Sequence, residues 1–246
     1  YGDTRTNDNI HSQVTEQIYL KKADTIFHLG DFVEDGTNID LWLNFNNISR
    51  KIRENTKFYT IIGNHDNTDK SKLYFLNFNL PENKKYYSHK INDLFFIILD
   101  SSYTSIEPAS EQYNWLLDQL KSNTSYFMIV LLHHPIYNTG AHSNDLNVTM
   151  LKETLPVLFQ KYNVKIVFSG HDHNYEKSFY NNIYYVVTGG GGAPLQNQIK
   201  NESYSQNFLS TYNFCEIVNS KDKVDIFVYD ISGKVIDKIE ISRTGY

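Results

Sequence analysis

Four short apolar runs stop abruptly on residues that a buried strand has no packing reason to carry. TIFHL ends in Gly30-Asp31, and FYTII ends in Gly63-Asn64-His65-Asp66. FMIVLL ends in His133-His134-Pro135, and KIVFSG runs straight into His171-Asp172-His173. Unbroken apolar runs of this length read as strands covered on both faces. Helical periodicity separates them, with Ile10, Val14 and Ile18 on one face and Tyr113, Leu116, Leu117 and Leu120 on another. Residues 38 to 54 and MLKETLPVLFQKY also read as helical, with Pro156 kinking or starting the latter. LFFIILD and YYVVT add two strands, the second ending in four glycines. The tail, NFCEIVN, KVDIFVYD and KVIDKIEIS, reads as an antiparallel meander. The expected fold is therefore α/β with added antiparallel strands. Without an internal repeat or linker, residues 1–246 are expected to form one domain.

In open α/β sheets, sites form beyond the carboxyl ends of the strands, so residues distant in sequence converge there. Asp31, Asn64, His133, His171 and His173 all fall at such ends, and Asp3 joins them if a strand precedes Tyr1. Carboxylate, amide oxygen and imidazole together suit Fe, Mn or Zn. Six ligands are enough for two ions, and a two-ion site can clamp a phosphoryl group. Single signals are weaker, since a lone Gly-Asp or His-His-Pro usually marks a turn.

Composition narrows the alternatives. The net charge of −5 and the lack of a basic run make nucleic acid an unexpected partner. No apolar run is long enough to span a bilayer. Cys215 is the only cysteine, which excludes an internal disulfide and a multi-cysteine metal site. Asn-x-Ser/Thr sequons stand at Asn47, Asn123, Asn147 and Asn201. No signal peptide is visible, and the sequence starts at Tyr1 without Met.

The order GDTR, GDFVEDG, GNHD, HHP and GHDH resembles the calcineurin-like metallophosphoesterases. GHDHNYEKS, LDSSYTSIEPASEQYNWLLDQL, VVTGGGGAP and GKVIDKIEI are similar to stretches of the purple acid phosphatase branch. The resemblance implies a four-layer αββα sandwich of two mixed sheets flanked by helices, with a dinuclear metal centre of Fe, Mn or Zn. It implies that Asp3 and His173 bind the first ion, that Asp31 bridges both, and that Asn64, His133 and His171 bind the second. His65 and His142 would contact the phosphate and protonate the leaving oxygen, with Asp66 orienting His65. The implied reaction is attack of a metal-activated hydroxide on a small phosphate monoester, in an extracellular or secretory setting. The alternatives are a phosphodiesterase and a non-catalytic metal-binding module that keeps the fold.

Two departures from the family pattern stand out. Glu34 replaces the tyrosine of the purple enzymes' second motif, as an oxygen ligand or a solvated loop residue. Arg5 replaces the histidine of Asp-x-His in the first, reaching a phosphate oxygen or pairing with a carboxylate. The family's strand before the first motif is missing from this sequence, so another segment supplies it or Asp3 is loosely held. Among the other histidines, His28 is expected to pack near the rim, His11 to cap or lie at the surface, and His89 to be structural. His134 and Asp172 should point away from the ions by strand alternation. The glycine run at 189–192 reads as a tight turn beside the site and not as a nucleotide loop. Specificity is expected in loops 34–40, 67–80, 138–148 and 193–206.

Overall fold

The structure is a computed structural model, which describes residues 1–66, 68–80, 85–124 and 126–243. Asn67 of the second candidate loop and Ser125 of the Asn123 sequon lie outside the described residues.

The apolar runs form the strands expected of them. They are β1 (Thr25–His28), β2 (Lys57–Thr60), β4 (Leu94–Ile98), β5 (Phe127–Leu131), β6 (Ile166–Ser169) and β8 (Ile183–Thr188). Three further strands were not expected: β3 (Tyr87–Ile91), β7 (Tyr175–Tyr180) and β9 (Ser205–Leu209). The tail forms β10 (Asn213–Asn219), β11 (Lys223–Asp230) and β12 (Val235–Ser242). The helices are α1 (Asp8–Leu20), α2 (Ile39–Asn55), α3 (Lys72–Asn77), α4 (Glu111–Ser122), α5 (Leu146–Thr154) and α6 (Pro156–Lys161). Their starts follow from side-chain capping. Asn7 accepts from the Ile10 N–H, Asn38 from those of Asp40 and Leu41, and Ser110 from that of Tyr113. Pro156 does not kink one long helix but starts α6, where a missing N–H costs nothing.

A seven-stranded mixed sheet runs in the order β3-β4-β5-β6-β8-β7-β9, with β4, β5, β6 and β8 parallel. A second β layer is made of the parallel pair β1-β2 and the antiparallel β10-β11-β12. Alternation along β4 shows how the layers stack. Leu94, Phe96 and Ile98 face a core shared with Leu29, Ile61, Val224, Ile226 and Val228 of the second layer. Phe95 and Ile97 face the opposite core with Leu116 and Leu120 of α4 and Leu155 and Phe159 around α6. A third cluster packs Val14 and Ile18 of α1 and Ile52 of α2 on Ile26, Phe214 and Tyr229. The result is the four-layer αββα arrangement, its second β layer split into two sheets. Ile98 is fully buried between the layers, and truncating it to Ala would cost about 2–5 kcal/mol.

Residues 1–4 run beside the end of β1. The Leu29 N–H donates to the Tyr1 carbonyl (2.8 Å), and the Asp3 N–H donates to the Gly30 carbonyl (2.9 Å). From the other side, Gly191 donates to the Gly2 carbonyl and Ala193 to the Asp3 carbonyl, both at 2.9 Å. Asp3 is thus fully buried and clamped between two backbone segments, not loosely held.

Candidate metal centre

The ends of β1, β2, β5 and β6 meet at one rim, where residues 1–5 also arrive. Asp3 (φ 59°), Asp31 (φ 54°) and His171 (φ 71°) all hold the left-handed backbone that non-glycine residues avoid. Strain at three converging positions is characteristic of a functional site that the surrounding structure over-determines. Gly63 and Gly170 allow the convergence, since a Cβ there would collide with the carboxylates of Asp31 and Asp3, respectively.

The histidine tautomers follow from their hydrogen-bond partners. His133 Nδ1 donates to the Leu29 carbonyl (2.8 Å), which turns its Nε2 lone pair toward Asn64 Oδ1 (3.0 Å) and Asp31 Oδ1 (3.4 Å). His171 Nε2 donates to Asp145 Oδ2 (3.4 Å), and its Nδ1 lone pair faces the same Asn64 oxygen (3.1 Å). His173 Nδ1 donates to the Pro194 carbonyl (2.9 Å), leaving its Nε2 lone pair directed into the site. Burial pushes the pKa of all three rings down, that of His173 to about 4, so they are neutral at pH 7 as metal ligands must be. Burial, then the nearby Asp31 charge, pushes the Asp3 carboxyl up.

Four lone pairs, from Asp31, Asn64, His133 and His171, therefore converge without protons between them. That donor set fits a cation of the Zn, Fe or Mn type. Asp3, Asp31 and His133 also offer ligand atoms within 4.8 Å of one another. On the first-ion side, His173 Nε2 lies 3.9 Å from Asp3 Oδ1. Here Arg5 intrudes. Its Nε is 3.4 Å from Asp31 Oδ2, its Nη1 pairs with Glu34, and its Nη2 is 3.3 Å from His173 Nε2. Arg5 thus pairs with carboxylates, one of the two options open for it. Glu34, with its side chain 47% exposed, pairs with the cationic side chain of Arg5.

One expected contact is replaced. Asp66 does not accept from the His65 ring. Its carboxylate instead takes the backbone N–H groups of Asp31 (2.8 Å), Phe32 (2.8 Å) and Gly63 (2.9 Å), tying the two strand ends together. The His65 ring is oriented by the Glu34 carbonyl, which accepts from Nδ1 at 2.8 Å, and Nε2 faces Asp31 Oδ2 at 3.9 Å. The physical reason is that Asp66 is fully buried beneath three otherwise unpaired donors.

His142 stacks near His171, with ring centroids 4.3 Å apart. Its Nδ1 donates to Asp145 (3.0 Å), and its Nε2 accepts from Gln196 (3.1 Å). Asp172 lies behind the ligands as alternation requires, accepting from the His142 N–H (2.8 Å). Asp145 and Gln196 belong to no motif; they lie in loops 138–148 and 193–206, which were expected to carry specificity and not to orient ligands. His134 bonds Ser101 and takes no part in the ligand hydrogen bonds, but its ring lies 4.3 Å from that of His171, beside the ligand set, while His89 bonds Tyr59. His28 packs flat on Phe32 at 3.8 Å and bonds Thr4, as expected. His11 is neither a cap nor at the surface. It is 2% exposed and stacks on Phe45, because it shares the inward face of α1 with Val14 and Ile18.

The model of the calcineurin-like phosphoesterase family matches residues 2–175, which carry every residue of the set above except Pro194 and Gln196. The chain belongs to the calcineurin-like phosphoesterase family. Among curated calcineurin-like relatives, purple acid phosphatase 22 of Arabidopsis thaliana is 28% identical over 216 residues, 78% of this chain and 48% of that protein. The Fe(3+)-Zn(2+) purple acid phosphatase 12 of the same plant is 34% identical over 111 residues, 42% of this chain and 23% of that protein. The solved purple acid phosphatase PPD1 of yellow lupin superposes with a TM-score of 0.88 at 22% identity, over 98% of this chain and 52% of that one. The chain spans about half the length of these proteins or less. The metallophosphoesterase fold is shared throughout, and family members work with a two-metal centre for which this chain carries candidate ligands. Among the described residues no helix is long and apolar enough to cross a membrane.

Proposed function

We propose that this chain is a metal-dependent phosphoesterase that hydrolyses small phosphate monoesters. The observation that carries the reading is the convergence of Asp31 Oδ1, Asn64 Oδ1, His133 Nε2 and His171 Nδ1 from four separate strand ends. These residues would hold the second ion, while Asp3, His173 and the other Asp31 oxygen are the ligands available to a first. Bound metal supplies Lewis-acid charge for the phosphoryl oxygens and lowers the pKa of coordinated water toward neutrality.

The chain's own residues do the rest. Asp145 holds His171 with its Nδ1 lone pair inward, and the Leu29 and Pro194 carbonyls do the same for the other two rings. His65 is pinned at Nδ1, so its Nε2 is the atom that gives a proton to the leaving alkoxide when the ring is charged. His142, fixed at Nδ1 by Asp145 beside His171, is the further candidate to hold a substrate oxygen, through Nε2 protonated in place of its contact with Gln196. No serine or cysteine nucleophile is required.

The test is turnover of a chromogenic aryl phosphate and of the matching bis-ester, with Zn, Mn or Fe added or with chelator. Metal-dependent hydrolysis that prefers the monoester supports the proposal. Preference for the bis-ester moves the assignment to a phosphodiesterase. Bound metal without turnover of either ester points to a binding module.

A further inference from the structure

We propose that the Arg5 guanidinium is a built-in cation that competes for the first metal position, so that the two positions load in order, second before first. This rests on the metal-dependent reading above and goes beyond it. The guanidinium touches three groups around that position: Asp31 through Nε (3.4 Å), Glu34 through Nη1, and His173 through Nη2 (3.3 Å). The contact with His173 has a definite direction. Its Nδ1 already donates to Pro194, so Nε2 carries the lone pair and accepts from Arg5. That is the same lone pair a first ion needs.

Asp31 divides its charge accordingly. Oδ1 accepts from the His65 N–H (3.1 Å) and faces His133, while Oδ2 faces Arg5. One oxygen serves the second position and the other already has a cation. Arginine stays charged at any working pH, so this competitor cannot be removed by deprotonation. It also cannot coordinate an ion, and a divalent ion beside it would face a like charge. The competitor is held in place by the local chain. Asp3 turns in the left-handed region, and Thr4 is buried with its hydroxyl against His28 (3.1 Å). The Arg5 side chain then emerges toward the ligands with only 14% of it exposed. Glu34, 47% exposed, is the outer partner that keeps it there. At the second position, by contrast, the lone pairs of His133 and His171 both face the Asn64 oxygen.

The test is Zn²⁺ titration by calorimetry, with metal analysis after gel filtration, on the whole chain and on Arg5→Ala. Arg5→Gln keeps much of the side-chain volume without the charge and serves if Arg5→Ala fails to fold. The wild type is expected to take one ion tightly and a further ion at least about 10-fold more weakly. Removing the guanidinium should tighten the weak event by about 10- to 100-fold, the range seen when a ligand's outer partner changes. The tight event should be unchanged, and His171→Ala should abolish it in either background. Two equal tight ions in the wild type, or a weak event indifferent to Arg5, would overturn the proposal while leaving the metal-dependent reading intact. No ion bound by any form would overturn both.

Discussion

The two halves of the metal centre are built by the same fold from the same kinds of residue, yet their charge balance differs. The second position gathers neutral, buried imidazoles and an amide oxygen around one carboxylate oxygen. The first offers a carboxylate, the other Asp31 oxygen and His173, but Arg5 and Glu34 bring a fixed ion pair into it. Topology decides where ligands converge. A single side chain two residues beyond Asp3 then decides how much of the converged charge is left for a metal.

Several substitutions would break or sharpen this contrast. The largest effect is expected from Asn64→Ala or His133→Ala, which remove a ligand of the second position. Aryl phosphate turnover should fall at least about 1,000-fold with loss of the tightly bound ion, a cost of roughly 4 kcal/mol in transition-state stabilisation. An equal fall in His173→Ala would erase the distinction between the halves.

Next comes acid. His173 titrates at about 4 when folded and near its ordinary value of about 6.5 when unfolded. The unfolded chain therefore binds this ring's proton first, and the His173 contribution to stability is lost as pH drops from about 6.5 toward 4. Urea denaturation of metal-free protein across that range should show the decline, and His173→Gln should flatten part of it. An unchanged slope in the variant would mean that the other buried rings, His11, His28, His133, His134 and His171, dominate the effect.

A smaller effect is expected from His173→Ala itself, about 10-fold in kcat at saturating metal, because Arg5 already supplies positive charge beside Asp31. The smallest is Asp145→Asn, which loosens the tautomer of His171 without removing a ligand. Ion affinity should drop by about 10-fold with the KM for substrate little changed. A KM effect that exceeds the affinity effect would instead assign Asp145 to substrate binding through His142.

Much of this was legible from residue patterns. Strands β4, β5 and β6 are continuous apolar runs because both of their faces are covered, and the ends of β5 and β6 announce ligands. Strands β3, β7 and β9 escaped notice because they carry Ser, Lys, Asn and Gln, and β7 buries Glu176 against Thr139 and Ser205. A buried carboxylate whose hydrogen bonds come from distant segments leaves no local period to detect. Asp66 misled for a related reason. The resemblance implied a partnership with His65, but the N–H groups of Asp31, Phe32 and Gly63 claimed its oxygens. Arg5 was visible as a departure from the family pattern, but its partners were not. They depend on Glu34 and His173 arriving from the far sides of the rim.

The clamp on Asp3 also bears on how the molecule assembles. The His171 N–H donates to Asp3 Oδ1 (3.0 Å) across 168 positions of sequence, so the segment between them must largely be placed before that bond closes. Contacts of such separation form late, since their closure entropy is offset only when many others already hold. The proposed ion site would thus be absent from local fragments and early collapsed states. During refolding, zinc uptake should accordingly coincide with the slowest structural phase, so a metal-sensitive dye would time the completion of the fold.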